Sequence, residues 1–284
     1  MQILTTIPET QTACRTLRTT GTLGLVPTMG ALHAGHLSLI TAAKRDCAHV
    51  AASIFVNPLQ FGPNEDLAQY PRTFDEDCAK LEAAGVDLLF APTVETMVPK
   101  NSATFVEVAG IGDRLDGVHR PGHFRGVATI VAKLFHILSP DRAYFGQKDA
   151  AQLAVLRAMT RDLNFPVDLV ACPIVREPSG LAMSSRNEYL SADHRQRASI
   201  LQRALTAATD LHKAGRHNTA QLIATTRQLI AQDHNINIEY VAAVDPGTLL
   251  PLDSTAQGAL LAVAIKLGTT RLIDNVLLEP AHVQ

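Results

Sequence analysis

The stretch TLGLVPTMGALHAGH, residues 22–36, decides the fold class, because it joins an apolar run to a helix start through a glycine turn. Its first six residues predict a buried strand that ends at Pro27, and Gly30 permits the turn that follows. Gly35 and His36 then lead into a helix. In open α/β sheets, ligands bind beyond the carboxyl ends of the strands, and the N–H groups of a helix that begins there favour an anion. We therefore predict a phosphate-binding site at this junction.

His33 and His36 stand beside the predicted helix start, where imidazole N–H groups can donate to phosphate oxygens. Two other interpretations remain open, a zinc-binding pair and two hydrogen-bonded turn histidines. Zinc requires at least a third ligand, and neither Cys nor Glu accompanies the pair. The position of both histidines at a strand–glycine–helix junction favours a nucleotide site.

Further apolar runs predict more strands of the same sheet. They are HVAASIFV (49–56), VDLLFAP (86–92), RAYFG (142–146) and VDLVAC (167–172). Continuous apolar runs are typical of a parallel sheet that is covered on both faces. One helix is predicted by the helical spacing of Val127, Ile130, Val131, Leu134, Phe135 and Leu138, and weaker helix patterns cover 37–48, 73–84 and 149–163. The predicted fold class is α/β, a Rossmann-like open parallel sheet with helices on both faces.

The pattern changes after residue 187, where a second, smaller α+β domain is predicted. One helix carries Leu201, Leu205, Ala208 and Leu211 on one stripe and stops at Gly215, and a second helix covers 218–233. Three strands follow, INIEYVAAVD, GALLAVAIKLG and TRLIDNVLLE, in an antiparallel or mixed sheet. The predicted domains are therefore residues 1–186 and 187–284.

Composition excludes several classes of protein. The 284 residues carry a formal net charge of −2, which argues against an extended nucleic-acid surface. Four cysteines without a CxxC pair argue against a disulfide framework or a zinc–thiolate site, and they fit a reducing compartment. The first residues lack the apolar core of a secretory signal, and no run reaches the roughly 18 apolar residues of a membrane span. We expect a cytoplasmic protein without a membrane or nucleic-acid partner.

Five segments together carry a family resemblance. TMGALHAGH (28–36) is similar to the HIGH-type signature of the nucleotidylyltransferase superfamily, and AMSSRNEYL (182–190) resembles its KMSKS-type loop. Three more segments narrow the resemblance, SIFVNPLQFGPNEDLAQYPRT (53–73), RPGHFRGVATIVAKLF (120–135) and FGQKDAAQL (145–153). With these, essentially the whole chain resembles the pantoate–β-alanine ligase family.

The resemblance implies an enzyme that condenses pantoate with β-alanine at the expense of ATP. Pantoate would first form pantoyl adenylate with release of pyrophosphate, and the amine of β-alanine would then displace AMP. Magnesium is expected to arrive on the ATP phosphates and not in a protein metal site. The resemblance also implies a homodimer. Independently of it, we expect the C-terminal domain to act as a hinged lid that carries Ser184 to Arg186.

The resemblance implies catalytic roles for His33, His36, Lys148 and Arg186, with His36 as a proton donor and Arg186 on the leaving pyrophosphate. The implied ATP-binding residues are Met29, Gly30, Ala31, Leu32, His33, Ala34, Gly35, His36, Gly146, Gln147, Lys148, Asp149, Val175, Met183, Ser184, Ser185 and Arg186. The implied substrate-binding residues are Gln60 for pantoate and β-alanine, Gln152 for pantoate, and Asn57 and Tyr70 in the same pocket.

Plainer interpretations exist for several of these residues. Lys148 and Asp149 also fit a solvated pair at a helix start, and Ser-Ser-Arg-Asn by itself is a polar loop. Asn57 and Tyr70 equally fit a turn residue and a core aromatic. His119 and His123 have a spacing seen in metal sites, but the Pro-Gly between them predicts a loop beside the site.

One segment departs from the family pattern. Lys-Asp is usually followed by an aromatic residue and two glutamines, whereas this chain has Ala150, Ala151 and Gln152. The glutamine assigned to pantoate is retained.

Three rival functions remain, a nucleotidyltransferase that leaves AMP on its acceptor, a tRNA-charging enzyme and a nucleotide-binding regulator without turnover. The glutamine pair argues against the nucleotidyltransferase. The short chain without a basic surface argues against the tRNA-charging enzyme. The regulator is disfavoured because both histidines, Lys148 and Arg186 are retained.

Overall fold

The computed structural model describes residues 1–63 and 65–281. The strands of this part of the chain are β1 (Gln2–Leu4), β2 (Leu23–Thr28), β3 (His49–Ile54), β4 (Leu88–Phe90), β5 (Arg142–Gly146), β6 (Asp168–Cys172), β7 (Ile236–Val244), β8 (Ala259–Leu267) and β9 (Thr270–Leu278). Its α-helices are α1 (Ile7–Arg18), α2 (Ala34–Asp46), α3 (Phe74–Ala83), α4 (Val94–Met97), α5 (Asp116–His119), α6 (His123–Leu138), α7 (Ala150–Asp162), α8 (Ala192–Ala198), α9 (Ile200–Lys213) and α10 (Thr219–Ile230). Short 3-10 helices lie at Pro58–Gln60, Asp66–Ala68, Gln147–Asp149 and Ser185–Tyr189.

The chain divides into two compact units, each built from separate segments. The first unit consists of Met1–Gly112, Arg120–Gly146 and Val155–Pro173. The second unit consists of Asp113–His119, Gln147–Ala154 and the chain from Ile174 onwards.

The first unit holds a parallel sheet. Among the described residues its strand order is β1-β4-β3-β2-β5-β6. The chain runs from β2 through β3 to β4 on one side and then returns to place β5 on the other side of β2. The strand order therefore reverses between β2 and β5, and this is the point where ligands bind in open α/β sheets.

Both faces of this sheet are buried, which explains the continuous apolar runs. Leu25 and Ala51 lie on one face and Val26 and Ala52 on the other, and all four are fully buried. Helix α2 packs against β2, β3, β5 and β6, and α1 packs against β2 and α6. The predicted Rossmann-like fold class is confirmed.

The predicted helices of this unit are found with small shifts at their ends. The segment predicted at 37–48 is α2, which begins earlier, at Ala34, and 73–84 is α3. The apolar face predicted for α6 is buried along its whole length. Strand β1 and helix α1 were not predicted.

The second unit combines an antiparallel sheet with helices. Strands β7, β8 and β9 pair in that order, with an irregular register between Ile238 and Tyr240. Leu201, Leu205 and Ala208 of α9 lie in its core, as their spacing predicts. Helix α9 ends beside Gly215, which has a positive φ of 82° and donates its N–H to the His212 carbonyl.

The compact units divide the chain at points other than residue 186. Segment 113–119 groups with the second unit because Asp116 pairs with Arg271 at 2.6 Å. Segment 147–154 does so because the Asn275 amide donates to the carbonyls of Gln147 and Lys148 at 3.0 and 2.9 Å. The division into domains 1–186 and 187–284 stays a prediction.

Within residues 1–63 and 65–281, no helix is long and apolar enough to cross a bilayer.

Candidate active site

The loop between β2 and α2 makes a left-handed turn immediately after the strand. Gly30 has a φ of 83° and Ala31 a φ of 51°, so two successive residues adopt the left-handed region. At Gly30 an added Cβ would lie 3.0 Å from Asp77 Oδ2 and 3.3 Å from the Ile54 side chain, so conformation and space both favour glycine. The turn brings the chain from the end of the strand to the first residue of α2, as predicted.

Two side chains of α3 hold this loop. The buried Asp77 carboxylate accepts from the Ala31 and Leu32 N–H groups, both at 2.8 Å, and from the Thr73 hydroxyl at 3.1 Å. Lys80 donates to the Leu32 carbonyl at 2.9 Å. These bonds satisfy backbone groups that a left-handed turn leaves unpaired. Asp77 was not predicted as a site residue, although its i, i+4 spacing from the buried Leu81 places it on the inner face of α3.

His33 and His36 cap the start of α2. The Gly35 N–H donates to His33 Nδ1 at 3.1 Å, and the His33 N–H points to His36 Nδ1 at 3.4 Å. Because each Nδ1 accepts, the proton of the neutral ring lies on Nε2 in both histidines. The two rings lie 4.1 Å apart between centroids. The pair therefore places two imidazole rings at the N-terminus of a helix at the switch point of the sheet.

The predicted substrate-binding residues Asn57 and Gln60 lie together in the first unit. The buried Asn57 amide donates to Gln60 Oε1 at 3.0 Å and to the Gly126 carbonyl at 3.1 Å. Gln60 Nε2 donates to the Met29 sulfur at 3.0 Å, so Gln60 also reaches the loop after β2. Tyr70 is buried and packs edge-on against Phe61, with centroids 6.0 Å apart.

The prediction of a loop around His119 and His123 is partly wrong. His119 is the last residue of α5 and His123 is the first residue of α6, and only the residues between them are outside a helix. The reason is that each helix stops or starts at the Pro-Gly pair, and Gly122 has a φ of 80° before α6. His119 belongs to the second unit, where its ring stacks on Tyr240.

In the second unit, the predicted ATP-binding residues Gln147, Lys148 and Asp149 form a 3-10 turn that leads into α7. Lys148 Nζ lies 3.7 Å from Asp149 Oδ1, and the side chain of Asp149 is about half exposed. Asn275 of β9 bonds both the Gln147 side chain and two backbone carbonyls of this turn. Gly146, which precedes the turn, ends β5 in the first unit.

Ala150 and Ala151, which replace the aromatic residue and the first glutamine of the family pattern, begin helix α7. Ala150 and Ala151 are both buried, so the chain fills these positions with small side chains against the core. Gln152 on the same turn is partly exposed.

The KMSKS-type segment is also in the second unit. The Met183 N–H donates to the Val175 carbonyl at 2.9 Å, which closes a hairpin before Ser184. The Ser184 hydroxyl accepts from the Arg186 N–H at 3.2 Å and caps the 3-10 helix that contains Ser185. Asn187 was not predicted, yet its buried amide holds this segment by donating to Glu177 and to the Ala182 carbonyl.

In the described ranges, no three His, Cys, Asp or Glu side chains converge in a way that could hold a metal ion. His33 and His36 therefore have no third zinc ligand in that part of the chain.

The fold and the junction after β2 define a class, the Rossmann-like α/β proteins that carry a HIGH-type histidine pair at the switch point of the sheet. The family model described as pantoate–β-alanine ligase matches residues 2–277. A pantothenate synthetase of Koribacter versatilis is 55% identical over 282 residues, with 99% of this chain and 97% of that protein covered. One from Roseiflexus sp. (strain RS-1) is 53% identical, with coverages of 98% and 100%. The chain belongs to the pantoate–β-alanine ligase family.

Solved structures agree with this assignment. A pantothenate synthetase of Thermus thermophilus matches with a TM-score of 0.94 at 48% identity, with 99% of this chain and 100% of that chain covered. The pantoate–β-alanine ligase of Francisella tularensis, described as complexed with β,γ ATP and β-alanine, matches with a TM-score of 0.80 at 32% identity and coverages of 98% and 97%.

Proposed function

We propose that this chain catalyses the ATP-dependent condensation of pantoate with β-alanine, through pantoyl adenylate, with release of pyrophosphate and AMP. The observation that carries the proposal is the family match over residues 2–277. Relatives that are 55% identical over nearly the full length carry the name of this activity. The histidine pair at the start of α2 supplies a site of the kind that the first step needs.

The first step brings several anionic groups together. A pantoate carboxylate oxygen attacks the α-phosphorus of ATP, and the bond from that phosphorus to the departing pyrophosphate breaks. We assign His33 and His36 to the phosphate oxygens, with His36 as proton donor, and Lys148 to the charge at the α-phosphate. We assign Ser184, Ser185 and Arg186 to the pyrophosphate, because a planar guanidinium matches two phosphate oxygens. Preorganised donors of this kind stabilise charge that develops in the transition state.

The nucleotide is assigned to the remaining ATP-binding residues. The loop from Met29 to His36 covers the phosphates, and Gly146, Gln147 and Asp149 take the ribose side. Val175 and Met183 lie at the hairpin that leads to Ser184, and we assign the Val175 backbone to adenine.

The second step forms the amide. The amine of β-alanine attacks the acyl carbon of pantoyl adenylate, the bond to AMP breaks, and the amine loses a proton. Gln60 and Gln152 are assigned to pantoate, because an amide offers a donor and an acceptor to a hydroxy acid. Gln60 is also assigned to β-alanine, and Asn57 supports Gln60 through its 3.0 Å bond. Tyr70 is assigned to the lining of the same pocket.

Magnesium, the oligomeric state and the location of the enzyme are further parts of this proposal. We expect magnesium to arrive on the ATP phosphates and to keep mostly water as its other ligands. A homodimer and a cytoplasmic location follow from the family resemblance and from the cysteine pattern. The C-terminal domain is proposed to act as a hinged lid, because it carries Ser184 to Arg186 and closure of such a segment shelters a reaction from water.

Pyrophosphate exchange tests the order of the two steps. Labelled pyrophosphate should enter ATP when pantoate and magnesium are present and β-alanine is absent, because nothing assigned to the first step requires an amine. His36→Ala should lower the exchange rate by roughly 10²- to 10³-fold, the usual cost of one preorganised donor. Exchange that requires β-alanine would indicate a concerted reaction, and exchange without any acid would indicate an adenylylated enzyme. Either result would contradict the proposal.

A further inference from the structure

We propose that His123, supported by Arg120 and Glu65, is a positioning residue that fixes the backbone of Gln60 and thereby sets the affinity for pantoate. The proposal rests on the proposed function, in which the Gln60 side chain binds pantoate. We name these three residues the Gln60 support. All of them belong to the first unit.

The Gln60 peptide is held from the start of α6. His123 Nδ1 lies 2.8 Å from the Gln60 carbonyl oxygen, and Arg120 Nη2 donates to the same oxygen at 3.3 Å. A carbonyl oxygen has two lone pairs, so both bonds can form together. At Gly126 an added Cβ would lie 2.2 Å from the Leu59 carbonyl oxygen, so the helix backbone also packs directly against the preceding peptide.

The protonation state of His123 follows from its partners. A carbonyl oxygen can only accept, so His123 Nδ1 carries a proton. Arg120 Nη1 lies 3.0 Å from His123 Nε2, and a guanidinium can only donate, so Nε2 accepts. The support therefore contains a neutral His123 with its proton on Nδ1, the opposite tautomer to that of His33 and His36.

Glu65 fixes Arg120 in turn. Its carboxylate accepts two hydrogen bonds from Arg120, at 2.7 Å from Nε and 2.6 Å from Nη2. Both side chains are largely buried, with exposed fractions of 12% for Arg120 and 24% for Glu65. Burial alone would raise the pKa of the Glu65 carboxyl, but the hydrogen bonds and charge of Arg120 lower it below its usual range. A bidentate pair of this kind fixes the plane of the guanidinium.

The support determines where the Gln60 amide points. Gln60 is the last residue of the 3-10 helix Pro58–Gln60, and its side chain is oriented at its tip by Asn57 and Met29. With the carbonyl fixed at one end and the amide at the other, few conformations remain for the side chain. A ligand then meets a preorganised amide and loses less affinity to ordering it.

Steady-state kinetics of His123→Ala test this role. We expect the KM for pantoate to rise roughly five- to tenfold, the range for one lost hydrogen bond of ordinary strength. The KM for ATP should stay within about twofold, because the loop from Met29 to His36 keeps its own bonds to α3. His136→Ala is the matched control, since His136 lies on the same helix but is exposed and contacts Phe165.

Two further variants separate positioning from a general loss of structure. His123→Asn keeps a donor close to the place of Nδ1, so it should restore the KM for pantoate to within about twofold of the parent value. Glu65→Gln leaves His123 in place but loosens Arg120, so a smaller rise in the same direction is expected. Glu65→Gln also provides the test if His123→Ala does not fold. A rise in the KM for ATP equal to that for pantoate would overturn the proposal.

A double-mutant cycle with Gln60→Ala decides whether the effect passes through the Gln60 side chain. In the Gln60→Ala background, adding His123→Ala should leave the KM for pantoate unchanged, because no side chain remains to position. An equal fold-change in both backgrounds would overturn the proposal. If Gln60→Ala raises this KM and His123→Ala does not, the positioning role of His123 is contradicted and the assignment of Gln60 to pantoate stands. If Gln60→Ala itself has no effect, the assignment of Gln60 to pantoate is contradicted, and the positioning role of His123 is contradicted as well.

Discussion

Asp77 organises the loop between β2 and α2. Its two oxygens accept the N–H groups of Ala31 and Leu32, and the residue is 1% exposed. Asp77→Ala should lower the free energy of unfolding by about 3 kcal/mol, because two buried N–H groups lose a charged acceptor. Urea unfolding measures the loss. Glu76→Ala on the same turn is the control, since the Glu76 side chain is 72% exposed. Equal losses in the two variants would show that these bonds contribute nothing.

The site residues that the sequence revealed are those that stand in short contiguous motifs. His33 and His36 could be predicted because a strand end, a glycine turn and a helix start occur within fifteen residues. Asp77 could not, because it lies 46 residues beyond Ala31 and meets it only when α3 has packed beside the loop. An acidic first turn of a helix is ordinarily a solvated feature, so residue type alone does not identify a buried carboxylate.

At the level of elements, the contact between α6 and the Pro58–Gln60 turn depends on one glycine. Alanine in a helix is ordinarily favoured over glycine by up to about 1 kcal/mol. At Gly126, however, the new Cβ would lie 2.2 Å from the Leu59 oxygen and 2.7 Å from the Gln60 nitrogen. Both are backbone atoms, which cannot rotate away, so the overpacking should dominate.

We therefore expect Gly126→Ala to lower the free energy of unfolding by about 1–2 kcal/mol, measured with urea. Gly247→Ala is a suitable comparison, since its Cβ would make an ordinary contact 3.5 Å from Asp245 Oδ1. A gain in stability for Gly126→Ala would mean that α6 can move away from the turn at no cost.

Helices α8 and α10 are connected by an ion pair that should respond to acid. Arg197 of α8 binds both oxygens of Asp233, which follows α10, and this lowers the pKa of the Asp233 carboxyl to about 2. Because the folded pKa lies below the unfolded value, the pair stabilises the protein above about pH 4 and loses this contribution as the pH falls towards 2. Screening by solvent keeps the contribution below about 1 kcal/mol.

The free energies of unfolding of the parent and Asp233→Asn, measured at pH 6, 3 and 2, test this contribution. The parent should be more stable at pH 6, and the difference should shrink steadily as the pH falls. A difference that is the same at pH 6 and pH 2 would contradict the assignment, since both proteins would then respond equally to protonation.

The elements that sequence patterns predicted are those with a continuous apolar signal. Strands β2 to β5 each lie between two neighbours in a sheet that is covered on both faces, so their residues are apolar in succession. Strand β6 lies at the edge and is partly exposed, yet its sequence still carries an apolar run. Strand β1 is a three-residue edge strand with two exposed side chains, and it leaves no such run. Helix α1 buries only Thr10 and Cys14, so it has no apolar stripe to recognise.

At the level of the whole molecule, we predict that a fragment of residues 1–186 does not keep the native structure of segments 113–119 and 147–154. In the full chain Arg271 pairs with Asp116, Arg114 donates to the Thr248 carbonyl, and Asn275 holds the 147–149 turn. The fragment lacks all three partners. Buried polar groups without partners are costly, so these segments should open.

Limited proteolysis with trypsin, followed by mass spectrometry, provides the measurement. Cleavage after Arg114 and Lys148 should be rapid in the fragment and slow in the full chain. The variant Arg271→Ala in the full chain should expose Arg114 but leave Lys148 protected, since Asn275 remains. Equal protection of both sites in the fragment and the full chain would contradict the prediction.

The interleaving of the two units also bears on synthesis of the chain. Segments 113–119 and 147–154 leave the ribosome long before β9, yet their partners Arg271 and Asn275 lie on that strand. The first unit contains every strand of its sheet by Cys172 and can form while translation continues. The second unit can be completed only after β9 has emerged. During that interval the nascent chain contains a folded parallel sheet, while segments 113–119 and 147–154 still lack their partners. The turn that bears Lys148 is therefore among the last parts of the enzyme to reach its native structure.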